Sequence, residues 1–452
     1  MSVIKRTAAF SFLAILLLGL GIAAPFPASA ETLTLEEARS LALANSSELS
    51  SMLLAAESSE LDGRLQAYES LPSLSLSSSA SMQVSPAEDG VGDTLSAGLS
   101  LSASQTLWSG GRNGIKSAIN AIATEAARQA ASARYFSVLD EIDAAWYSFL
   151  KSLAALDAAR SSLGNYGLAL SIAETRFEAG AISVTDYLSA QSAHESAKTS
   201  LSQARRDVAI SRVKVAYLTG LSSSLSEGLE AGPVDFAAYE SLIARVSGFP
   251  DGDVESFAAN VRDRAVVSNP DLNRVVLEGK KAEGELGLSR REYLPSVSAG
   301  LSAGLDYARV SGLADPSVRV SLSGTIPMEF WKTATSVKKS ELASRIADND
   351  LGKARMDLEI DIQTAVQNCV AQARSVVSSG KALEYAKTLY EGKFEMYRLS
   401  AASVSDLSDA AALVSSNESQ LIAARYGFLS CLSDIRTICA FEDDGQVLGL
   451  IP

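Results

Sequence analysis

The chain has 452 residues, and 53 acidic against 39 basic side chains give it a formal charge of −14. That balance argues against nucleic acid as a partner, because phosphate neutralisation needs clustered Lys and Arg. One His and three Cys leave little for metal or redox chemistry, so no cofactor is expected, and an aromatic content of 6% with abundant Ala and Ser points to an elongated helical protein.

Residues 1–30 read as a signal peptide. Lys5 and Arg6 precede an apolar run from Ala8 to Ala24, and Ala28-Ser29-Ala30 supplies small residues for cleavage before Glu31. Loss of this segment, with its two basic and no acidic residues, takes the charge to −16. No Cys at the junction offers a lipid anchor. No later stretch has the roughly 20 continuous apolar residues of a spanning helix, so entry into a membrane must be by strands.

A helical segment runs from about Leu35 to Glu69, opening with Thr34 as N-cap and Glu37 three residues later. It ends at Leu71-Pro72-Ser73, where proline removes a backbone donor. The period then switches to two. Leu74, Leu76, Ser78, Ala80 and Met82 share one face with mostly Ser between them. After a polar loop holding Pro86, Asp89, Gly90 and Gly92, alternation resumes with Leu95, Ala97, Leu99, Leu101 and Ala103. Strands of about ten residues suit a tilted crossing of an outer membrane, with apolar side chains towards lipid and Ser towards a wet lumen. Solvent-exposed hairpins alternate as well, and periodicity alone leaves the two readings level. Trp108 follows the second strand, where an interfacial aromatic girdle would sit; a core anchor at the strand-helix junction is the other reading.

From Arg112 to about Phe177 the chain has no proline, and some 65 residues at about 1.5 Å each give a helix of roughly 100 Å. Ala118, Ala121, Ala126, Ala130 and Ala133 would let backbones approach closely. A break at Ala179-Gly180-Ala181-Ile182 leads into a second helix. There Ala197, Leu201, Ala204, Val208, Ser211, Val215 and Leu218 alternate by four and three as a coiled-coil seam. Taken alone, these helices fit an ordinary Ala-rich bundle better.

The whole pattern then returns. Leu294-Pro295-Ser296 and Trp331 repeat at an offset of 223, and Ser403-Val404-Ser405-Asp406 repeats Ser183-Val184-Thr185-Asp186 at 220. A helix is expected from about Val254 to Glu292. Strands follow on Val297, Ala299, Leu301, Ala303 and Leu305, then Val318, Val320 and Leu322, with Phe330 beside Trp331. The seam becomes Asn417, Leu421, Ala424, Phe428, Cys431, Ile435 and Ile438. The expected division is therefore 1–30 signal peptide, 31–220 first repeat, 221–253 linker punctuated by Pro233, Gly248 and Pro250, 254–440 second repeat and 441–452 tail. Four strands cannot close a membrane barrel, since open edges in lipid leave backbone groups unsatisfied, so a spanning chain must oligomerise.

Leu33-Thr34-Leu35-Glu36-Glu37-Ala38, Leu71-Pro72-Ser73-Leu74, Leu107-Trp108-Ser109-Gly110-Gly111-Arg112 and Arg176-Phe177-Glu178-Ala179-Gly180-Ala181-Ile182-Ser183 stand in order along the chain. This series resembles the successive signatures of the TolC-type outer membrane efflux proteins. The resemblance covers essentially the whole mature chain and both repeats. It implies a mainly α fold with a membrane β-barrel: a homotrimer whose protomers each give four strands to one 12-stranded barrel in outer membrane lipid, above a coiled-coil helical tunnel across the periplasm. It also implies an equatorial region, assigned to the linker and the tail.

By the same resemblance, the turns at Ala179, Gly180, Ala181 and Ile182 and at Ser400, Ala401 and Ala402 meet a periplasmic adaptor of an inner-membrane pump. Ser400 stands where the first copy has Gly180, a departure from the glycine-bearing pattern. Asp406 and Asp409 match the aspartate pair of the family's constricted entrance. Three copies would ring one axis with carboxylates and favour cations. The competing role for the pair is a solvated acidic first turn helped by the helix dipole, and Asp186 is expected to be only such a helix-start residue.

Other residues carry less. His194 has no second His and reads as a surface residue, and Lys338-Lys339 is too short for a basic patch. Cys369, Cys431 and Cys439 lack metal spacing. Cys369 and Cys431 lie 32 residues before and 30 after Ala401, so they should face each other, as buried thiols or as a disulfide. No nucleophile, base and orienting group stand together, so an enzyme is not expected. The leading reading is an export duct for drugs, metals or secreted polypeptides; the alternative is a non-conducting, envelope-spanning structural or adhesive coiled coil.

Overall fold

The computed structural model describes residues 33–83, 94–221, 234, 236–308, 314–399 and 401–452. The signal-peptide segment, the loop with Pro86, Asp89, Gly90 and Gly92, linker residues 222–233 and Ser400 lie outside the described residues. In chain order the elements are α1 Leu35–Asn45, α2 Ser47–Tyr68, β1 Ser73–Gln83, β2 Thr94–Trp108, α3 Arg112–Glu178, α4 Val184–Thr219, α5 Ala237–Ser247, α6 Asp251–Ser268, α7 Pro270–Arg290, β3 Ser296–Ala308, β4 Ala314–Thr325, α8 Phe330–Arg398, α9 Val404–Ile438 and α10 Asp444–Leu448. No described helix is long and apolar enough to cross a membrane.

Two expected helices are each interrupted. The segment from Leu35 is broken at Ser46, whose ψ of 102° is extended, and the one from Val254 is broken at Asn269, with ψ 118°. At Asn269 the cause is Pro270, which excludes its predecessor from the helical region and then starts α7 at a position tolerant of a missing N–H. Asn269 Nδ2 donates to Ile438 O at 3.1 Å and Asn45 Nδ2 to Thr219 O at 2.7 Å, so each break is held by the end of a seam helix. Thr34 and Glu37 form the expected capping box.

The chain divides into two compact units. One comprises Ser50–Ala133 and Pro270–Leu358 and contains the sheet. Its four strands are antiparallel in the order β1-β2-β3-β4, so β1 and β4 each pair on one side only. Register puts Leu76, Leu101, Ala303 and Val318 in one row and Leu74, Ala103, Leu301 and Val320 in another. The intervening rows, on the opposite face, read Ser75, Ser102, Ser302, Arg319 and Ser77, Ser100, Gly304, Ser317. The serines bond across strands: Ser75 to Ser102 and Ser77 to Ser100 at 2.7 Å, Ser298 to Ser323 at 2.8 Å. Both faces are open in one protomer, with Val318 and Val320 at 76% and 80% exposure.

The strand-to-helix junction explains its glycine pair. Gly110 and Gly111 have φ of 66° and 75°, a region side chains rarely adopt, and a Cβ on Gly110 would lie 2.7 Å from Leu294 Cβ. Thus Leu107-Trp108-Ser109-Gly110-Gly111 and the second Leu-Pro-Ser motif need each other.

The other unit comprises the chain up to Leu49, Arg134–Asn269 and Glu359–Pro452. Its seams form as the periodicity predicts: Ala197, Leu201, Val208, Ser211 and Val215 are buried on α4, and Leu421, Ala424, Phe428, Cys431 and Ile435 on α9. Cys369 and Cys431 are both buried, and burial, then Cys431, raise the Cys369 thiol. All three cysteines are free thiols. The tail returns to α5 and α6, where Arg245 donates to Ile451 O at 2.8 Å and Asn260 to Leu450 O at 2.9 Å.

One buried ionic cluster ties α1, α3 and α9. Asp143 and Arg436 are both fully buried. Arg39 binds the Asp143 carboxylate through Nε at 2.7 Å and Nη2 at 2.8 Å, Arg436 Nη2 approaches Oδ2 at 2.6 Å, and Ser433 Oγ donates to the same oxygen at 2.8 Å. Beside it, burial and then Asp140 push the Asp434 carboxyl up to about 6.

Asp143→Ala removes the buried carboxylate that Arg39 and Arg436 both bind and is expected to cost about 3–5 kcal/mol. Denaturant unfolding followed by helical circular dichroism measures it. A loss below about 1 kcal/mol would give the cluster no more weight than a surface pair.

Candidate functional site

The two turns predicted to form a contact tip come together around one small core. Ala169, Ala173, Ala190, Tyr397, Val404 and Leu407 are buried there, with Ile182 and Ala402 packed against them. Ala179, Gly180, Ala181 and Ala401 remain exposed. Tyr397 is 1% exposed, and the Arg176 guanidinium lies 4.4 Å above its ring and also donates to its carbonyl. Phe177 and Tyr187 stack at 5.1 Å.

Each turn closes the same way. Ala181 N donates to Arg176 O at 2.8 Å, the long bond that terminates a helix through a left-handed residue, and Ala401 N donates to Met396 O at 2.8 Å. In the first turn that residue is Gly180, with φ 69°. Its counterpart Ser400 is outside the described residues.

The helices after both turns also start alike. Ser183 Oγ accepts from Asp186 N and Ser403 Oγ from Asp406 N, each at 3.1 Å. Asp406 completes a full capping box by accepting from Ser403 N at 3.1 Å and Oγ at 2.8 Å. It differs from Asp186 in its partner Lys393, whose Nζ lies 3.2 Å from Asp406 Oδ1. The Ser403 bonds and then Lys393 hold the Asp406 carboxyl well below the ordinary range, at about 2. Asp409, one turn on, is exposed and contributes to raising the Tyr166 hydroxyl, after burial. The structure thus brings both aspartates to the turn but engages Asp406 in the cap and an ion pair. Lys393 escaped sequence reading, although its position seven residues before the turn and that of Asp406 six after put them at equal heights on antiparallel helices.

The predicted girdle residues sit at the sheet's helix end. Trp108 closes β2 at a bulge opposite Val297, and Phe330 and Trp331 open α8; all three are exposed. Tyr293 stacks on Phe330 with centroids 6.5 Å apart. It precedes the Leu-Pro-Ser motif directly, a signal that repeat comparison passed over because its first-copy counterpart is Ser70. His194 lies beside Glu195 with its ring over Gly167, and the described residues hold no His, Cys, Asp or Glu group able to bind a metal ion.

The cap has a pH signature. A carboxyl with a folded pKa of about 2, against an ordinary value near 3.8, stabilises the fold above that ordinary value, and its contribution disappears as pH falls through about 2. Thermal melts should therefore separate wild type from Asp406→Asn at neutral pH and converge towards pH 2. A difference that persists undiminished in acid would remove the carboxylate from this role.

The sequence profile of the family described as Outer membrane efflux protein matches residues 38–221 and 261–439. Among solved structures, a membrane protein from Pseudomonas aeruginosa is 18% identical, with 91% of each chain covered and a TM-score of 0.78. The CmeC outer membrane channel of Campylobacter jejuni is 15% identical over 92% of this chain and 88% of its own, with a TM-score of 0.77. The outer membrane protein VceC of Vibrio cholerae is 14% identical over 90% and 96%, also at 0.77. With four fifths of its length matched in two segments, the chain belongs to the outer membrane efflux protein family, the TolC-type channels of the outer membrane with a long periplasmic helical portion, which transport and are not enzymes.

Proposed function

We propose that the chain forms a homotrimeric exit duct that takes cargo from an inner-membrane pump, through a periplasmic adaptor, to the cell exterior in a tripartite efflux or type I secretion system. The observation that carries this reading is the sheet: one face apolar, one face serine, and two edges without a partner in the protomer. In lipid, unpaired backbone groups are too costly to leave, and the same strands from two further copies would satisfy them. Trp108, Phe330 and Trp331 then supply the aromatic girdle at the inner boundary of the barrel.

The division into a signal peptide, two repeats of 31–220 and 254–440, an equatorial linker and a tail belongs to the same reading. The bond from Arg245 in the linker to Ile451 O in the tail supports one equatorial layer made from both segments, and Asn260 at the start of the second repeat holds the tail as well. The exposed Ala179, Gly180, Ala181 and Ala401 are the proposed adaptor contacts, together with Ser400; Ile182 and Ala402 support them from beneath. Asp406 and Asp409 are the proposed periplasmic aperture. Lys393 offsets part of the Asp406 charge, so Asp409 carries more of the field in this arrangement.

Conductance in planar lipid bilayers tests the duct. Purified protein should open channels, and the double variant Asp406→Asn, Asp409→Asn should lower cation preference while raising conductance. Channels whose selectivity is untouched by both substitutions would leave the aspartates as helix-start residues alone; protein that never conducts would favour a structural coiled coil.

A further inference from the structure

We propose that Arg319 is a selectivity-determining residue of the barrel, placing one guanidinium per protomer in the lumen and favouring anions there. The inference rests on the proposed reading of the serine face as the wall of a water-filled duct. Its own ground is the isolation of this charge within that face.

Arg319 is exposed on β4, on the face opposite Val318 and Val320. Its register row is Ser75, Ser102, Ser302, Arg319. The adjacent rows on that face are Ser77, Ser100, Gly304, Ser317 and Ser73, Ser104, Gly300, Ser321. None holds a carboxylate. The nearest acidic positions on the face are Asp306 and Asp315, paired with each other four residues along, or roughly 13 Å by strand rise.

The far side of β4 offers nothing either. β4 is an edge, and a neighbouring copy closing the barrel would meet it with β1. On the polar face the positions of β1 are Ser73, Ser75, Ser77, Ser79, Ser81 and Gln83, so every register that preserves the alternation within β1 sets a hydroxyl or an amide residue, not an acid, beside Arg319. A guanidinium stays cationic throughout the working pH range. Three of them at one height, among side chains no larger than serine, form a positive ring in a protein whose net charge is strongly negative. A solute would then cross two fields of opposite sign: carboxylates at the helical turns and guanidinium groups in the barrel.

The test is the reversal potential of single channels under a potassium chloride gradient, for wild type, Arg319→Ser and Arg319→Lys. Arg319→Ser should reduce the chloride-to-potassium permeability ratio several-fold, since each of the three charges lost counts for about twofold across roughly 8 Å of water, while Arg319→Lys should hold it near wild type. Each variant is checked for the wild-type oligomer on a mild-detergent gel. An unchanged ratio in Arg319→Ser, or an equal shift in Arg319→Lys, overturns the assignment while the duct stands. Wild-type protein that assembles but never conducts overturns both.

Discussion

The constraint on which the rest depends is the pairing of backbone N–H and C=O groups at the two edges of the sheet. β1 and β4 are each bonded on one side only, and β4 even carries Pro316 beside its hairpin. Water could satisfy such edges; hydrocarbon cannot. An apolar face made of Leu74, Leu76, Leu99, Leu101, Leu301, Val318 and Val320 is unstable in water, and the edges are unstable in lipid. The proposed closure by further copies would resolve both conflicts together and give the serine face an interior to line.

The helices follow a different economy. Over α3 and α8, of 67 and 69 residues, buried alanines such as Ala131, Ala145, Ala173, Ala365 and Ala373 alternate with large buried side chains such as Ile142, Trp146, Phe149, Ile362 and Val366. Ala-rich packing has little tolerance for a displaced backbone, and the fully buried Asp143 with Arg39, Arg436 and Ser433 supplies a directional lock between α1, α3 and α9. Such a cluster contributes less to net stability than to register, because its desolvation cost consumes most of its attraction. At the turns the tie is the Arg176 guanidinium on Tyr397, linking α3 to α8.

Much of this was legible in the residues. Period two located all four strands, period three and four located the seams, and the Thr34 and Glu37 pair marked a helix start that the structure builds as a capping box. The breaks at Ser46 and Asn269 were missed. Asn269-Pro270 carried a plain local signal, and Ser46, at the same repeat position, a subtler one: its Oγ accepts from Leu49 N at 3.2 Å and caps α2. Long-range polar pairs were the least legible part. Nothing near Asp143 in sequence points to Arg39 or Arg436, more than a hundred and nearly three hundred residues away, because such partners are chosen by how helices dock and not by local pattern. Lys393 opposite Asp406 was within reach of simple counting about the turn. The two aspartates looked alike in sequence, and only the cap geometry separates them.

Closure by neighbouring copies is the central claim, and native mass spectrometry of protein released from mild detergent tests it most directly. The account predicts an assembly of three chains as the dominant species, since three sets of four strands leave no free edge. A dominant, folded single chain under the same conditions would contradict it, because β1 and β4 would then have to remain unpaired in the membrane.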